Sequence, residues 1–149
     1  MPERDDGVRV ASVDDVVFLV ANDRHVRGGN LADLVATGRI LLAEEEGSAV
    51  GWLRWGLFWD EVPFMNMLFV LEPFRGRGWG DRLVKAWEAG LRADGHDYAL
   101  TSTQSDEDAQ HFYRKRGWVD CGALLLPGEP TEIVLRKDLT TTEPVVASP

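Results

Sequence analysis

A chain of 149 residues is the length of one domain and can bury a core without disulfides or metal to staple it. Its composition, 44% hydrophobic and 28% charged, is ordinary for a globular protein, and it carries no period that would indicate a solenoid or a coiled coil. With 16 basic against 25 acidic residues the net charge is −9, which opposes a general nucleic-acid role and suits a cationic or neutral ligand.

Cys121 is the only cysteine, which excludes an internal disulfide framework and fits a reducing compartment. No stretch approaches the roughly 20 apolar residues of a membrane span. The segment Met1 to Gly7 is charged and lacks the apolar run of a signal peptide. A cytoplasmic location with no membrane partner is the expectation. His25, His96 and His111 are scattered without metal-ligand spacing, so no metal is expected.

In chain order, a short strand is predicted at 8–11. Ser12-Val-Asp-Asp15 reads as a capping box with Asp in place of Glu, opening a helix over 13–26. A second helix is predicted from Asn30 to Thr37, stopped by Gly38. Residues 40–46 and 49–59 flank Gly47-Ser48 and read as a hairpin. The second of these strands carries apolar side chains on both faces, as a central strand or a cleft wall would. After a turn at Asp60-Glu-Val-Pro63 comes an apolar strand, Phe64 to Leu71, closed by Glu72-Pro73.

The glycine-rich segment Arg75-Gly-Arg-Gly-Trp-Gly80 opens a helix with Leu83, Val84, Trp87 and Leu91 on one face, ended by Gly95. A strand at 97–103, a helix at 106–116 and strands at 118–126 and 131–138 complete the pattern. Residues 1–139 are read as a single domain and 140–149 as a flexible tail.

Strand, glycine-rich turn and helix in that order form an anion site. The first turn of a helix presents N–H groups with no helical acceptor, at the positive end of the dipole, and glycines let the backbone approach a phosphate. Arg75, Arg77, Arg82 and Lys85 stand against one acid, Asp81, a local +3 inside an acidic chain. The P-loop pattern needs Lys-Ser/Thr after its last glycine, where this chain has Asp81-Arg82. The dinucleotide fingerprint needs a different glycine spacing from Gly76-x-Gly78-x-Gly80.

The spacing of Arg75, Gly78 and Gly80 matches Arg/Gln-x-x-Gly-x-Gly/Ala, and here the chain resembles the GNAT superfamily, in which that motif binds the CoA pyrophosphate. A second block, Asp106-Glu-Asp-Ala-Gln-His-Phe-Tyr-Arg-Lys-Arg-Gly-Trp118, is similar to the family's Asn-x-x-Ala-x-x-Phe-Tyr-x-x-x-Gly-Phe helix. The order of elements fits the family from residue 8 to 138.

The resemblance implies an α/β (α+β) fold: a mostly antiparallel sheet of about seven strands, splayed between the fourth and fifth, with about four helices. It implies an acetyl-CoA-dependent N-acetyltransferase working by direct attack of an amine in a ternary complex. By position, Leu68, Phe69 and Val70 contact the pantetheine arm, and the Val70 amide donates to the thioester oxygen. Arg75, Gly76, Arg77, Gly78, Trp79, Gly80 and Asp81 take the pyrophosphate. Tyr113 protonates the departing thiolate.

Two positions depart from the family pattern. Asp106 stands where Asn usually contacts pantetheine; an ionised acid accepts but cannot donate, so Gln104 is a substitute. The fourth strand begins Phe64-Met65-Asn66 and the fifth carries Thr101-Ser102-Thr103, so neither supplies a carboxylate base. Asp60 and Glu61, just before the fourth strand, remain to relay a proton or attract a cation, or are solvated turn acids. Arg114, Lys115 and Arg116 either assist the CoA phosphates or form a solvated helix face.

A small cationic amine is the favoured acceptor, with Trp52, Trp55, Phe58, Trp59 and Phe64 offering a flat or apolar body to pack against. A peptide N-terminus or lysine is the alternative acceptor. A non-catalytic acyl-CoA-binding or sensing module is the alternative function. The resemblance is compatible with a homodimer.

Overall fold

The computed structural model describes residues 7–140; the N-terminal residues 1–6 and all but Thr140 of the expected tail lie outside them. The seven strands are β1 (Val8–Val10), β2 (Ile40–Glu45), β3 (Ser48–Phe58), β4 (Val62–Val70), β5 (Tyr98–Gln104), β6 (Val119–Leu124) and β7 (Glu132–Asp138). The helices are α1 (Val16–Asn22), α2 (Gly28–Ala36), α3 (Trp79–Ala93) and α4 (Ala109–Lys115). All the strands form one sheet in the order β1-β2-β3-β4-β5-β7-β6. The β4/β5 ladder is parallel, whereas β1/β2, β2/β3, β5/β7 and β6/β7 are antiparallel. The mixed seven-stranded sheet with four helices is the expected architecture.

The chain divides into two compact units, one of residues up to Gly56 with Met67–Trp87, the other of Leu57–Asn66 with the chain from Glu88 onward. In the first unit Leu19, Leu31, Val35, Ile40, Leu42 and Trp52 form a buried cluster. Trp52 is 1% exposed and packs on Phe18 and Phe69 at ring distances of 5.8 and 5.1 Å, so it is core and is not part of a substrate wall. Leu83, Val84, Trp87 and Leu91 are the buried face of α3, as their spacing requires. In the second unit Leu100, Thr101, Thr103, Tyr113, Trp118 and Leu135 are buried.

The helix expected over 13–26 is shorter. Ser12 N–H donates to Asp15 Oδ2 at 2.7 Å, as a capping box predicts, but the chain makes a 3-10 turn at Val13–Asp15 and α1 ends at Asn22. The cause is Asp23, whose carboxylate is drawn inward. It accepts from Trp52 Nε1 at 3.0 Å and from Arg54 Nε at 2.7 Å, forming an ion pair whose side chains are 0% and 6% exposed. At Asp23 the backbone is extended (φ −94, ψ 95), which ends the helix. The turn before β4 is also displaced. Its central residues are Trp59 and Asp60, at φ 56 and 64, the left-handed pair that suits a tight hairpin, and Pro63 lies inside the strand.

Removing one partner of a buried ion pair strands the other charge. Asp23→Ala should lower unfolding free energy by about 3 kcal/mol, read as a lower denaturant midpoint. A midpoint equal to wild type would show that Arg54 does not depend on Asp23.

Candidate active site

The glycine-rich loop is held at both ends. At its start, Arg75 Nε donates to Val70 O at 2.7 Å, and the guanidinium lies 5.0 Å over the Phe69 ring. At its end, Trp79 is buried as the first residue of α3, and its Nε1 donates to Glu45 Oε1 at 2.8 Å. Arg77 pairs with the other oxygen of the same Glu45 carboxylate, and lies 5.3 Å over Phe74. Between these anchors Gly76 and Gly78 have φ of 79 and 87, and an added Cβ at either would meet nothing within 4 Å. Both glycines therefore turn open backbone outward, where a side chain would be strained.

Arg82 N donates to Gly78 O at 3.0 Å, the first helical bond of α3, so the N–H groups of Trp79 and Gly80 precede any helical acceptor. Lys85 and Asp81 pair at 3.1 Å across one turn, and Arg82 lies 4.3 Å over the Trp79 ring. Of the basic residues read from sequence as the attraction for a polyanion, Arg75 and Arg77 thus shape the loop.

Upstream, β4 has a defined polarity. Leu71 N donates to Val50 O at 2.8 Å, so alternation directs Phe69 toward β3 as well and turns the N–H groups of Leu68 and Val70 the other way. Gly51 confirms the close approach, since a Cβ there would stand 2.8 Å from Phe69 O. Val70 O, on the outer side, is the acceptor used by Arg75.

In the second unit the β4/β5 ladder comprises Phe64↔Leu100 and Met65↔Thr101. Thr101 is 2% exposed, and its hydroxyl donates to Met65 O at 2.9 Å. Tyr113, on α4, is 5% exposed and lies edge-on to Trp118 at 5.8 Å. Burial pushes the Tyr113 phenol up to about 12; contact with the Thr101 hydroxyl opposes this and the Glu107 charge adds to it. A phenol so placed keeps its proton throughout the neutral range.

Asp106 sits exposed in the turn before α4, which is shorter than the predicted 106–116. Its neighbour Glu107, unmarked in the sequence, takes the hydrogen bonds from Gln104 N at 3.2 Å and Thr103 Oγ1 at 3.3 Å. Gln104 Nε2 reaches Glu129 Oε1 at 3.5 Å. Asp60 and Glu61 are exposed at the β3–β4 turn. Beside them Phe58 packs on Trp59 and Phe64 at 4.6 and 5.9 Å, and Trp59 is 74% exposed. The aromatic residues grouped by the sequence thus separate into core Trp52, a Trp55–Trp87 pair at 5.9 Å, and a trio of exposed Phe58 and Trp59 with half-buried Phe64. Arg114 is taken up by Asp120 at 2.9 Å, and Arg116 lies 3.7 Å over Phe112.

The fourth strand runs into a glycine loop and a helix start, and a tyrosine-bearing helix follows the fifth strand. The chain belongs to the GNAT acetyltransferase family: the family model described as acetyltransferase (GNAT) domain matches residues 36–120. Solved structures share the fold. A GNAT-family acetyltransferase from Bacillus cereus is 24% identical, covering 88% of this chain and 95% of its own, with a TM-score of 0.74. The ribosomal-protein-alanine N-acetyltransferase from Brucella melitensis is 20% identical, covering 88% and 98%, with a TM-score of 0.75. An N-acetyltransferase from Thermoplasma acidophilum, solved in complex with coenzyme A, is 12% identical, covering 88% and 97%, with a TM-score of 0.71. No curated protein matches the chain by sequence.

The Tyr113 phenol has a testable signature. Its acidity is weaker in the fold than in the unfolded chain, so its contribution to stability is complete below the unfolded value near 10 and is lost as pH rises to about 12. Ultraviolet titration of tyrosinate should show a late component that Tyr113→Phe removes. A late component that persists in the variant would contradict the buried setting.

Proposed function

We propose that the protein transfers the acetyl group of acetyl-CoA to a primary amine, with a small cationic amine as acceptor. One observation carries this reading. The loop from Arg75 to Gly80 follows β4 directly, opens α3, and keeps Gly76 and Gly78 in left-handed conformations with clear space beside them. That arrangement suits a diphosphate held by backbone N–H groups. The CoA complex of the Thermoplasma acidophilum structure supports the same cofactor for this fold.

In the proposed reaction the neutral amine attacks the thioester carbonyl carbon, the carbon–sulfur bond breaks, and the amide and CoA thiol are the products. Leu68 and Phe69 line the pantetheine arm. The Val70 N–H, turned away from β3, donates to the thioester oxygen as negative charge grows there, an interaction typically worth a few kcal/mol. Tyr113 gives its proton to the departing thiolate. The amine's own proton leaves through water to Asp60 or Glu61, whose charge also favours a cationic acceptor. Asp106 contacts the pantetheine arm as a hydrogen-bond acceptor. Phe58, Trp59 and the half-buried Phe64 pack against the acceptor's apolar part, and the net charge of −9 favours a cationic head.

Thiol release from acetyl-CoA with a panel of polyamines, arylalkylamines and peptide N-termini tests this. At least one amine should stimulate release, and Tyr113→Phe should lower kcat about a hundredfold with KM little changed. Saturable acetyl-CoA binding without release for any amine would replace the reading with a non-catalytic acyl-CoA module. Turnover confined to peptides would move the acceptor to a peptide N-terminus or lysine.

A further inference from the structure

The sheet of the second unit carries one carboxylate that the fold leaves without a counter-charge. Of the acidic side chains in the described residues, seven are buried or half-buried. Asp15, Asp23, Glu44, Glu45, Asp81 and Glu88 each pair with a lysine or arginine. Glu132, the first residue of β7, is the seventh, and among the described residues it meets no basic side chain. Its side-chain partner is Ser102 on β5, whose hydroxyl donates to Oε2 at 2.7 Å. Gln104, directly across the ladder from Glu132, turns its amide to Glu129 at 3.5 Å instead. A half-buried carboxylate loses hydration that one hydroxyl replaces only in part, so Oε1 is left to bind a cation.

Strand alternation sets the face on which this pair stands. Partners across a ladder share a face. Ser102, Gln104, Glu132 and Val134 therefore lie together, and Phe64 joins them through its pairing with Leu100. These five side chains are half-buried. Thr101, Thr103 and Leu135 point the other way and are buried, on the face where Tyr113 and Glu107 meet β5 and Glu88 meets Lys137. Within this unit the helical residues of α3 and α4 thus pack on one face, and Ser102 and Glu132 occupy the other. The β4/β5 ladder ends at Met65↔Thr101, so Ser102 is the first β5 residue past the last β4 partner. Consecutive residues of β5 serve different groups: Thr101 contacts the Tyr113 phenol, and Ser102 holds the Glu132 carboxylate.

We propose, on the acetyl-transfer reading above, that Glu132, held by Ser102, binds the primary ammonium group of the acceptor and selects a cationic amine over a neutral molecule of the same shape. An ammonium supplies three donors. Glu132 Oε1 accepts one, and the Ser102 oxygen, whose own hydrogen is given to Oε2, accepts another. Phe64 lies one strand over and two residues back, about 8 Å from Ser102 by strand spacing and rise. Phe58 packs on Phe64 at 5.9 Å, so a short alkyl or aryl body extending from the carboxylate meets both rings. Asp60 and Glu61, exposed in the same unit, keep their part in removing the amine's proton; the role of Glu132 is binding.

The test follows the backbone amides of Ser102, Glu132 and Val134 by NMR during titration with butylamine and, in a separate arm, with butanol, which has the same shape without the charge. Saturable shifts are expected with the amine and not with the alcohol. Glu132→Gln, which keeps the size and an acceptor for Ser102, should bind butylamine at least about tenfold more weakly, whereas Glu129→Gln should match the wild type. The amide spectra report whether the fold is kept; Glu132→Asp, which shortens the reach of the carboxylate, replaces the first variant if it is not. In thiol release with an amine that turns over, Glu132→Gln should raise KM for that amine about tenfold and change kcat by less than about twofold. Release with no amine would overturn the transferase reading alone, since the titration needs no acetyl-CoA. No saturation with butylamine, equal shifts with butanol, wild-type affinity in Glu132→Gln, an equal loss in Glu129→Gln, or a defect confined to kcat would overturn the role of Glu132.

Discussion

The glycine loop depends on one carboxylate. Glu45, the last residue of β2, accepts from the indole of Trp79 and pairs with Arg77, so a single side chain ties the sheet to both the loop and the first turn of α3. Without that tie, Gly76 and Gly78, which have nothing packed beside them, would leave the loop free among many conformations. A backbone anion site works only if its N–H groups converge before the ligand arrives. Trp79 contributes bulk to the same end: a Cβ on Gly7 would stand 2.6 Å from its ring, so the residue that precedes β1 packs tightly on the helix start.

The β4 strand meets a related constraint from its other side. Gly51 admits Phe69 O at a distance that no side chain would allow, and Arg75 takes the carbonyl of Val70. These two contacts fix the orientation of the peptide groups at 69 and 70, and so the direction of the Val70 N–H on which the proposed chemistry relies. In the second unit, Thr101 plays a comparable part by joining Met65 O and contacting the Tyr113 phenol.

Much of the architecture was legible in the sequence because it is written in local patterns. Alternation and helical spacing located the seven strands and four helices of the described residues, and glycines at 38, 47, 95 and 117 marked their ends. The family motifs located the loop and Tyr113. What could not be read was set by contacts distant in sequence. Asp23 looks like one more helical acid until Arg54, 31 positions away, draws it inward and stops α1 early. Glu45 is one of three consecutive glutamates, and nothing local distinguishes the one that holds Trp79. Trp52 reads from the sequence as either a core residue or part of a cleft wall, and it is core because Phe18 and Phe69 enclose it.

Everything proposed for the chemistry requires that the 75–80 loop hold the diphosphate of acetyl-CoA. Titration calorimetry with acetyl-CoA on the wild type and on Gly78→Glu tests this directly, because the substitution sets a bulky anion in the space that Gly78 leaves open. The expected result is saturable binding to the wild type that is lost in a variant with an unchanged circular dichroism spectrum. Equal affinity in both proteins, or no binding to either, would contradict it.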